Sequence, residues 1–253
     1  MFKKNFYFKN LILVVFLFVV FQNDLTAQKK SSNSDSRYSP SFSYPPPTRT
    51  QTASSGITVA LIKPTFANKQ DNLVAPLQLF TSAMQSEVEV LLIAKGLKVK
   101  GPFNSTDEMV FSDKKQSDFT LIISINWVAQ SNRTWKTIRG PGDFKIKKHD
   151  VNINCNLDIT AVSNFSSEKL WKKHFPLSPI NVSYEGKRNW KDKEVTFWEE
   201  FKVEDKLANP INQALETHYK EAMEFLWRQF ESEEVKAIVE EAKKERSSDN
   251  KKN

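Results

Sequence analysis

The chain contains one cysteine, Cys155, among 253 residues. A single cysteine excludes an internal disulfide, so the folded part must be large enough to hold itself together by its core. Six glycines are few for an enzyme that wraps backbone around phosphates. None of them builds a G-x-S-x-G, Walker A or G-x-G-x-x-G pattern. The three histidines, His149, His174 and His218, read as lying on a loop end, a strand and a helix. They lack H-x-x-x-H spacing and a cysteine cluster, so neither a metal nor a cofactor is expected. Glu199-Glu200 has the composition of an acid–base pair, but a solvated helix or loop face explains it better. The expectation is therefore not an enzyme. No nucleic-acid motif is present, and no internal repeat is evident. The longest apolar run, Leu11 to Phe21, is eleven residues, well short of the roughly 20 that a spanning helix needs.

That run has its own meaning. Lys3, Lys4 and Lys9 precede it, polar Gln22-Asn23-Asp24 follows at once, and small Ala27 comes next. These are the three regions of a secretory signal peptide, expected over residues 1–27. No integral membrane span is expected after its removal. No lipid-accepting cysteine follows the run, which argues against an N-terminal lipid anchor. Cleavage would remove three lysines and one aspartate, lowering the net charge from +7 by two. The remaining basic excess favours weak attraction to anionic partners, and export disfavours nucleic acid among them.

Residues 28–55 are rich in Ser, Thr and Pro, include Pro45-Pro46-Pro47 and lack apolar periodicity. They read as a disordered linker, partly polyproline II. Order is expected from Gly56 to Arg246, with a disordered tail over 247–253. ITVALIKPTF, 57–66, suits an early strand. Leu77, Phe80, Met84, Val88 and Leu91 recur at three and four, predicting a helix over about 75–95 that Gly96 ends. Leu97-Lys98-Val99 reads as a second strand, completing a strand–helix–strand crossover. A short strand is expected at Met109 to Phe111. In DFTLIISINWV, Phe119, Leu121, Ile123, Ile125 and Trp127 share one face. In DVNINCNLDITAV, Val151, Ile153, Cys155, Leu157, Ile159 and Ala161 alternate with polar residues, a strand with one wet face. Cys155 on the apolar face reads as a small buried hydrophobe. KLWKKHFPL, 169–177, is a third strand of an antiparallel meander. Residues 178–206 yield no assignment. Asn209-Pro210 predicts a helix start, with a stripe at Ile211, Leu215, His218, Ala222, Leu226 and Phe230. Ser232 starts a second, charged helix. The fold class is a single α/β (α+β) domain: a mixed, mostly antiparallel sheet packed by an N-terminal crossover helix and long C-terminal helices.

The segments VALIKPTF, EVEVLLIAKGLKV, STDEMVFSDKKQSDFTLIISI and NPINQALETHYKEAMEFL, in that order, resemble the neuraminyllactose-binding haemagglutinin family, adhesin-like envelope proteins of Helicobacter. The resemblance spans about residues 57–128 and 207–240. It implies an α/β envelope domain and binding of sialylated glycans. A basic Arg-Thr tract after the long strand was proposed for sialic acid in that family, and Arg133-Thr134-Trp135-Lys136 occupies the corresponding place. Of that tract, Arg133 and Thr134 match. The family's N-terminal lipidated cysteine is missing here.

The residues themselves leave two readings of 131–148, SNRTWKTIRGPGDFKIKK. Arg133, Lys136 and Arg139 can grip a carboxylate, and the Trp135 indole can cover a sugar ring. The same pattern suits the charged tip of a long hairpin turning at Gly140-Pro141-Gly142. Arg133, Thr134, Trp135, Lys136 and Arg139 are thus the candidate glycan-binding residues. A second candidate surface holds Tyr184, Trp190 and Trp198, which read either as a ligand groove or as plugs at a sheet edge. The functional expectation is an exported bacterial envelope protein, periplasmic, outer-membrane-associated or on the cell surface. It is read as a non-enzymatic adhesin for sialylated glycans. The opposing expectation is a structural or assembly protein of the envelope that binds another protein, or itself as a homodimer through its helices.

Overall fold

The structure is a computed structural model that describes residues 37–47, 54–69, 71, 74–138, 144–188 and 196–249. The expected signal peptide, the Gly-Pro-Gly turn, Arg139 and Trp190 lie outside the described residues.

The fold is mixed α/β, as the strand and helix patterns predict. Strand β1 (Thr58–Ile62) is apolar and nearly fully buried, the signature of an inner strand covered on both faces. It pairs in parallel with β3 (Lys98–Phe103) on one side and β4 (Phe119–Ile138) on the other. The two-residue β2 (Thr65–Phe66) continues the pairing along β4. Helix α1 (Ala75–Ala94) makes the crossover from β1 to β3. It buries Leu77, Phe80, Met84, Val88, Leu91 and Leu92, each contributing about 1.5–3 kcal/mol. It ends where Gly96 takes φ 79°, a left-handed turn that a side chain would disfavour. The Leu97 amide then donates back to the Leu92 carbonyl at 3.0 Å.

The strong alternation downstream becomes an antiparallel hairpin of unusual length. β4 pairs with β5 (Phe144–Val162) from Thr120↔Val162 out to Ile138↔Phe144. Two later strands then share the far edge of β5. β6 (Lys169–Pro176) takes Asn156–Val162, and β7 (Ile180–Arg188) takes Lys145–Ile153. The sheet order is β3-β1-β4-β5-β6, with β2 beside β4 and β7 beside β5. The odd-numbered residues from Phe119 to Trp127 and from Val151 to Ala161 are buried. They meet α1, α4 (Asp205–Gln229) and α5 (Ser232–Asp249) in one core. Cys155 lies in that core, and burial pushes its thiol up to about 12.

Several local expectations are corrected. The strand expected at Met109–Phe111 is replaced by a 3₁₀ turn at Thr106–Glu108 and a short helix, α2 (Phe111–Gln116). Met109 turns inward onto Ala60 and Ile62 to cover the other face of β1. Residues 178–206, unassigned from sequence, contain β7 and the helix α3 (Phe197–Val203), which Thr196 and Glu199 cap reciprocally. Helix α4 starts at Asp205, four residues ahead of the expected Asn209 cap. Pro210 lies in its second turn, where its missing N–H forgoes the bond to the Lys206 carbonyl. α5 continues to Asp249, into the expected tail.

The expected linker is also corrected over residues 37–47, which lie extended against the helices. The Tyr38 amide donates to Asn209 Oδ1 at 2.8 Å, and Asn212 Nδ2 donates to the Tyr38 carbonyl at 2.7 Å. The Tyr44 amide donates to Glu87 at 2.7 Å. Phe42 sits 5.3 Å from both the Phe80 and Tyr219 rings. Ser and Pro content argued for disorder, but two partly buried aromatics, Phe42 and Tyr44, and polar partners for the backbone offset the ordering entropy.

Candidate functional site

Along β4, β5 and β7 the inward face changes character toward the hairpin's outer end. Apolar Val151 and Val182 give way to Arg133, Lys147, His149 and Tyr184. Register explains the convergence. Arg133 pairs with His149, and His149 pairs with Tyr184, so the three belong to one cross-strand row, with Lys147 two residues along β5. Helix α3 lies over them and supplies Glu200.

The five side chains form one hydrogen-bonded cluster. Lys147 Nζ donates to Glu200 Oε1 at 2.6 Å. The Tyr184 hydroxyl donates to the same oxygen. Arg133 approaches Glu200 Oε2 at 3.5 Å, and its Nε donates to His149 Nε2 at 3.2 Å. His149 Nε2 is therefore an acceptor, which puts the imidazole proton on Nδ1. Nδ1 lies 2.6 Å from the Tyr184 oxygen and 3.2 Å from Glu200 Oε2. His149 is fully buried, Lys147 is 3% exposed and Glu200 8%. A buried carboxylate with several donors is the arrangement in which charges are retained inside a protein.

Two sequence expectations are overturned here. Glu200 does not stand on a solvated face; only Glu199 does, engaged in the cap of α3. His149 is not at a loop end but in the middle of a three-strand row. Its neighbours were not legible because Glu200 is 51 positions away in the chain and is brought in by α3.

The titration of the cluster follows from burial. Desolvation holds His149 below its ordinary value, against the pull of Glu200 and with the repulsion of Lys147 and Arg133. Glu200 is held below the usual carboxylate range: burial works against this, but the hydrogen bonds from Lys147 and Tyr184 and the charge of Lys147 outweigh it. Tyr184 is pushed up by burial and by Glu200. A histidine depressed in the fold contributes stability that is complete above the unfolded value, near 6.5, and is lost as pH falls through the folded value. His218, also depressed by burial, acts in the same direction. The urea midpoint is therefore expected to drop between pH 7 and pH 5. His149→Gln is expected to flatten that slope. An unchanged midpoint across this range would contradict a neutral buried His149.

The predicted site residues distribute around this cluster. Arg133 is half-buried and faces Glu200 and His149. Thr134 and Lys136 are exposed and alternate onto the opposite face of the hairpin. Trp135 lies within β4, but its side chain is outside the described residues. Of the second surface, Tyr184 is buried at 7% exposure, which corrects its assignment to a surface. Trp198 is half-buried, stacked on Trp127 with centroids 6.5 Å apart, a plug over the core edge. Among the described residues no group of His, Cys, Asp and Glu is arranged to hold a metal, and no helix is long and apolar enough to cross a membrane.

No protein-family model matches the chain, and no curated protein matches it. Solved structures do. A neuraminyllactose-binding hemagglutinin homologue of Helicobacter pylori superposes with a TM-score of 0.56 at 14% identity. The match covers 79% of this chain and 98% of that one. A Xanthomonas campestris protein of the DUF330 family gives a TM-score of 0.34 at 11% identity, covering 76% of this chain and 93% of that one. The resemblance read from the sequence thus stands as a distant structural relationship, one of fold.

Proposed function

We propose that the chain is an exported, non-enzymatic protein of the bacterial envelope that binds sialylated glycans at the outer end of the β4–β5 hairpin. The observation that carries this reading is the outer face there. Beyond Ile125 the free edge of β4 has no further strand pairing among the described residues. Thr134, Lys136 and Lys148 are exposed on one face, with Thr134 directly opposite Lys148. Two ammonium groups and a hydroxyl suit a sugar carboxylate. The fold likeness to a hemagglutinin homologue named for neuraminyllactose supports the same ligand class. Arg133 serves this site from behind, by fixing the hairpin to α3.

Retention on immobilised 3′-sialyllactose tests the reading. Lys136→Ala and Lys148→Ala are expected to weaken it at least about tenfold, or about 1.4 kcal/mol, with unchanged unfolding midpoints. Arg133→Ala is expected to weaken it together with stability. A folded wild type that ignores the glycan would sink the proposal. The envelope structural or assembly reading then takes its place. It is favoured by exposed Leu79, Val90 and Ile93, 52%, 53% and 39% exposed on α1, and it predicts a stable dimer or protein partner.

A further inference from the structure

The face that carries Thr134 and Lys136 continues inward as a groove. Its floor is β5 and its sides are β4 and β7. Register aligns two polar rows across the three strands. Gln130, Asn152 and Asn181 form one; Asn132, Asp150 and Ser183 form the next. All six line a single depression of about 490 Å³, within the roughly 300–1,000 Å³ of small-ligand sites. The row after them, toward the tip, is Thr134, Lys148 and Glu185.

The groove carries four amides, the Ser183 hydroxyl and the Asp150 carboxylate. Asn, Gln and Ser supply both donors and acceptors, which matches sugar hydroxyls better than a charged group. The side chains are also braced against one another. Asn152 Nδ2 donates to Asn181 Oδ1 at 2.5 Å, and Asn154 Nδ2 donates to Asn152 Oδ1 at 3.1 Å. Ser183 Oγ donates to Asp150 Oδ1 at 2.5 Å, and Lys148 Nζ lies 3.5 Å from Asp150 Oδ2. Bracing lowers the rotamer entropy that a ligand must overcome. Such a polar set has no role in the core, because all six residues sit on the wet side of the sheet. Fold stability needs only polar residues there, not a linked set.

We infer that this groove is the subsite for the neutral, hydroxyl-rich part of a glycan, with the ligand's carboxylate directed toward Lys148 and Lys136. The inference rests on the glycan-binding reading and specifies where the uncharged rings lie. It separates two contributions. The groove recognises neutral sugar, and the tip adds preference for the acid.

Titration calorimetry of the folded protein with lactose and with 3′-sialyllactose tests this. Asn152→Ala is expected to weaken both ligands about tenfold or more. Gln130→Ala and Asn181→Ala, at exposed positions, repeat the test without risk to the fold, which circular dichroism monitors. Lys136→Ala is expected to weaken 3′-sialyllactose and leave lactose unchanged. Sialyllactose binding that survives all three groove variants overturns the subsite and leaves the hairpin reading standing. Lactose binding without any gain for sialyllactose supports the groove and overturns the acid preference of the tip. Failure of wild type to bind either ligand overturns both.

Discussion

Glu200→Ala is expected to destabilise the fold by about 3–5 kcal/mol, the usual cost of stranding a buried charge. Glu200 accepts from Lys147 at 2.6 Å and from Tyr184, and it lies 3.2 Å from His149 and 3.5 Å from Arg133. Its removal leaves the Lys147 ammonium, 4% exposed as a side chain, without this carboxylate. It also frees the inner face of the hairpin from α3. Glu200→Gln keeps the shape and one acceptor oxygen, so it is expected to recover part of the loss. Lys147→Met is expected to cost less than Glu200→Ala, because Glu200 keeps Tyr184, His149 and Arg133 and the methionine keeps the apolar stem. Urea unfolding of the three variants at pH 7.5 checks the order. Equal, small losses in all three would mean that water reaches the cluster and that it behaves as a surface network.

Phe80→Ala is expected to cost a similar 3–5 kcal/mol by a different mechanism, the loss of apolar burial plus a residual cavity. Phe80 is 1% exposed and lies where α1, α4, β2 and the N-terminal arm meet. Its ring is 5.2 Å from Tyr219, nearly perpendicular at 84°, 5.3 Å from Phe42 and 5.9 Å from Phe66. Edge-to-face pairs add about 0.5–1.5 kcal/mol beyond area. The arm over residues 37–47 should also loosen, since Phe42 loses half of its aromatic contact. Denaturant unfolding measures the first effect and proteolysis near Phe42 the second. Phe42→Ala is expected to reproduce the proteolysis with a much smaller loss of stability. A loss below about 1 kcal/mol for Phe80→Ala would show that the arm and α4 collapse into the space.

How far these features were legible in the sequence depended on the range of the interaction. The hairpin was legible because a period of two persists through β4 and β5, and one buried face leaves a single workable register. The helix at 75–94 was legible from spacing and end signals, and the start of the one at 232 from its Ser232 cap, though not its end at Asp249. The 3₁₀ turn before α2 was not, because Met109 and Phe111 alternate like a strand, whereas only Met109 packs onto β1 and Phe111 stays exposed. The arm was missed because Ser- and Pro-rich composition reports local preference only, and its docking rests on Phe80 and Tyr219, distant in the chain.

The candidate site divides in the same way. Thr134 and Lys136 were visible as exposed polar positions beyond the apolar run. Arg133 was visible as a cation, but its direction toward Glu200 was not. The polar row of the groove was present in the string as the DVNINCN alternation on β5, yet its second wall is β7, a strand that composition did not reveal.

The sequence by itself determined the α/β class, the inward face of each strong strand and the buried state of the single cysteine, Cys155. These depend on composition and on periodicities of two and 3.6, which neighbours along the chain enforce. Only the tertiary structure decided that Glu200 is buried against Lys147 and His149, that the arm docks, and that β4, β5 and β7 align six polar side chains into one groove. Each of these is a meeting of segments tens of residues apart, and the energy of such a meeting belongs to the pair rather than to either segment.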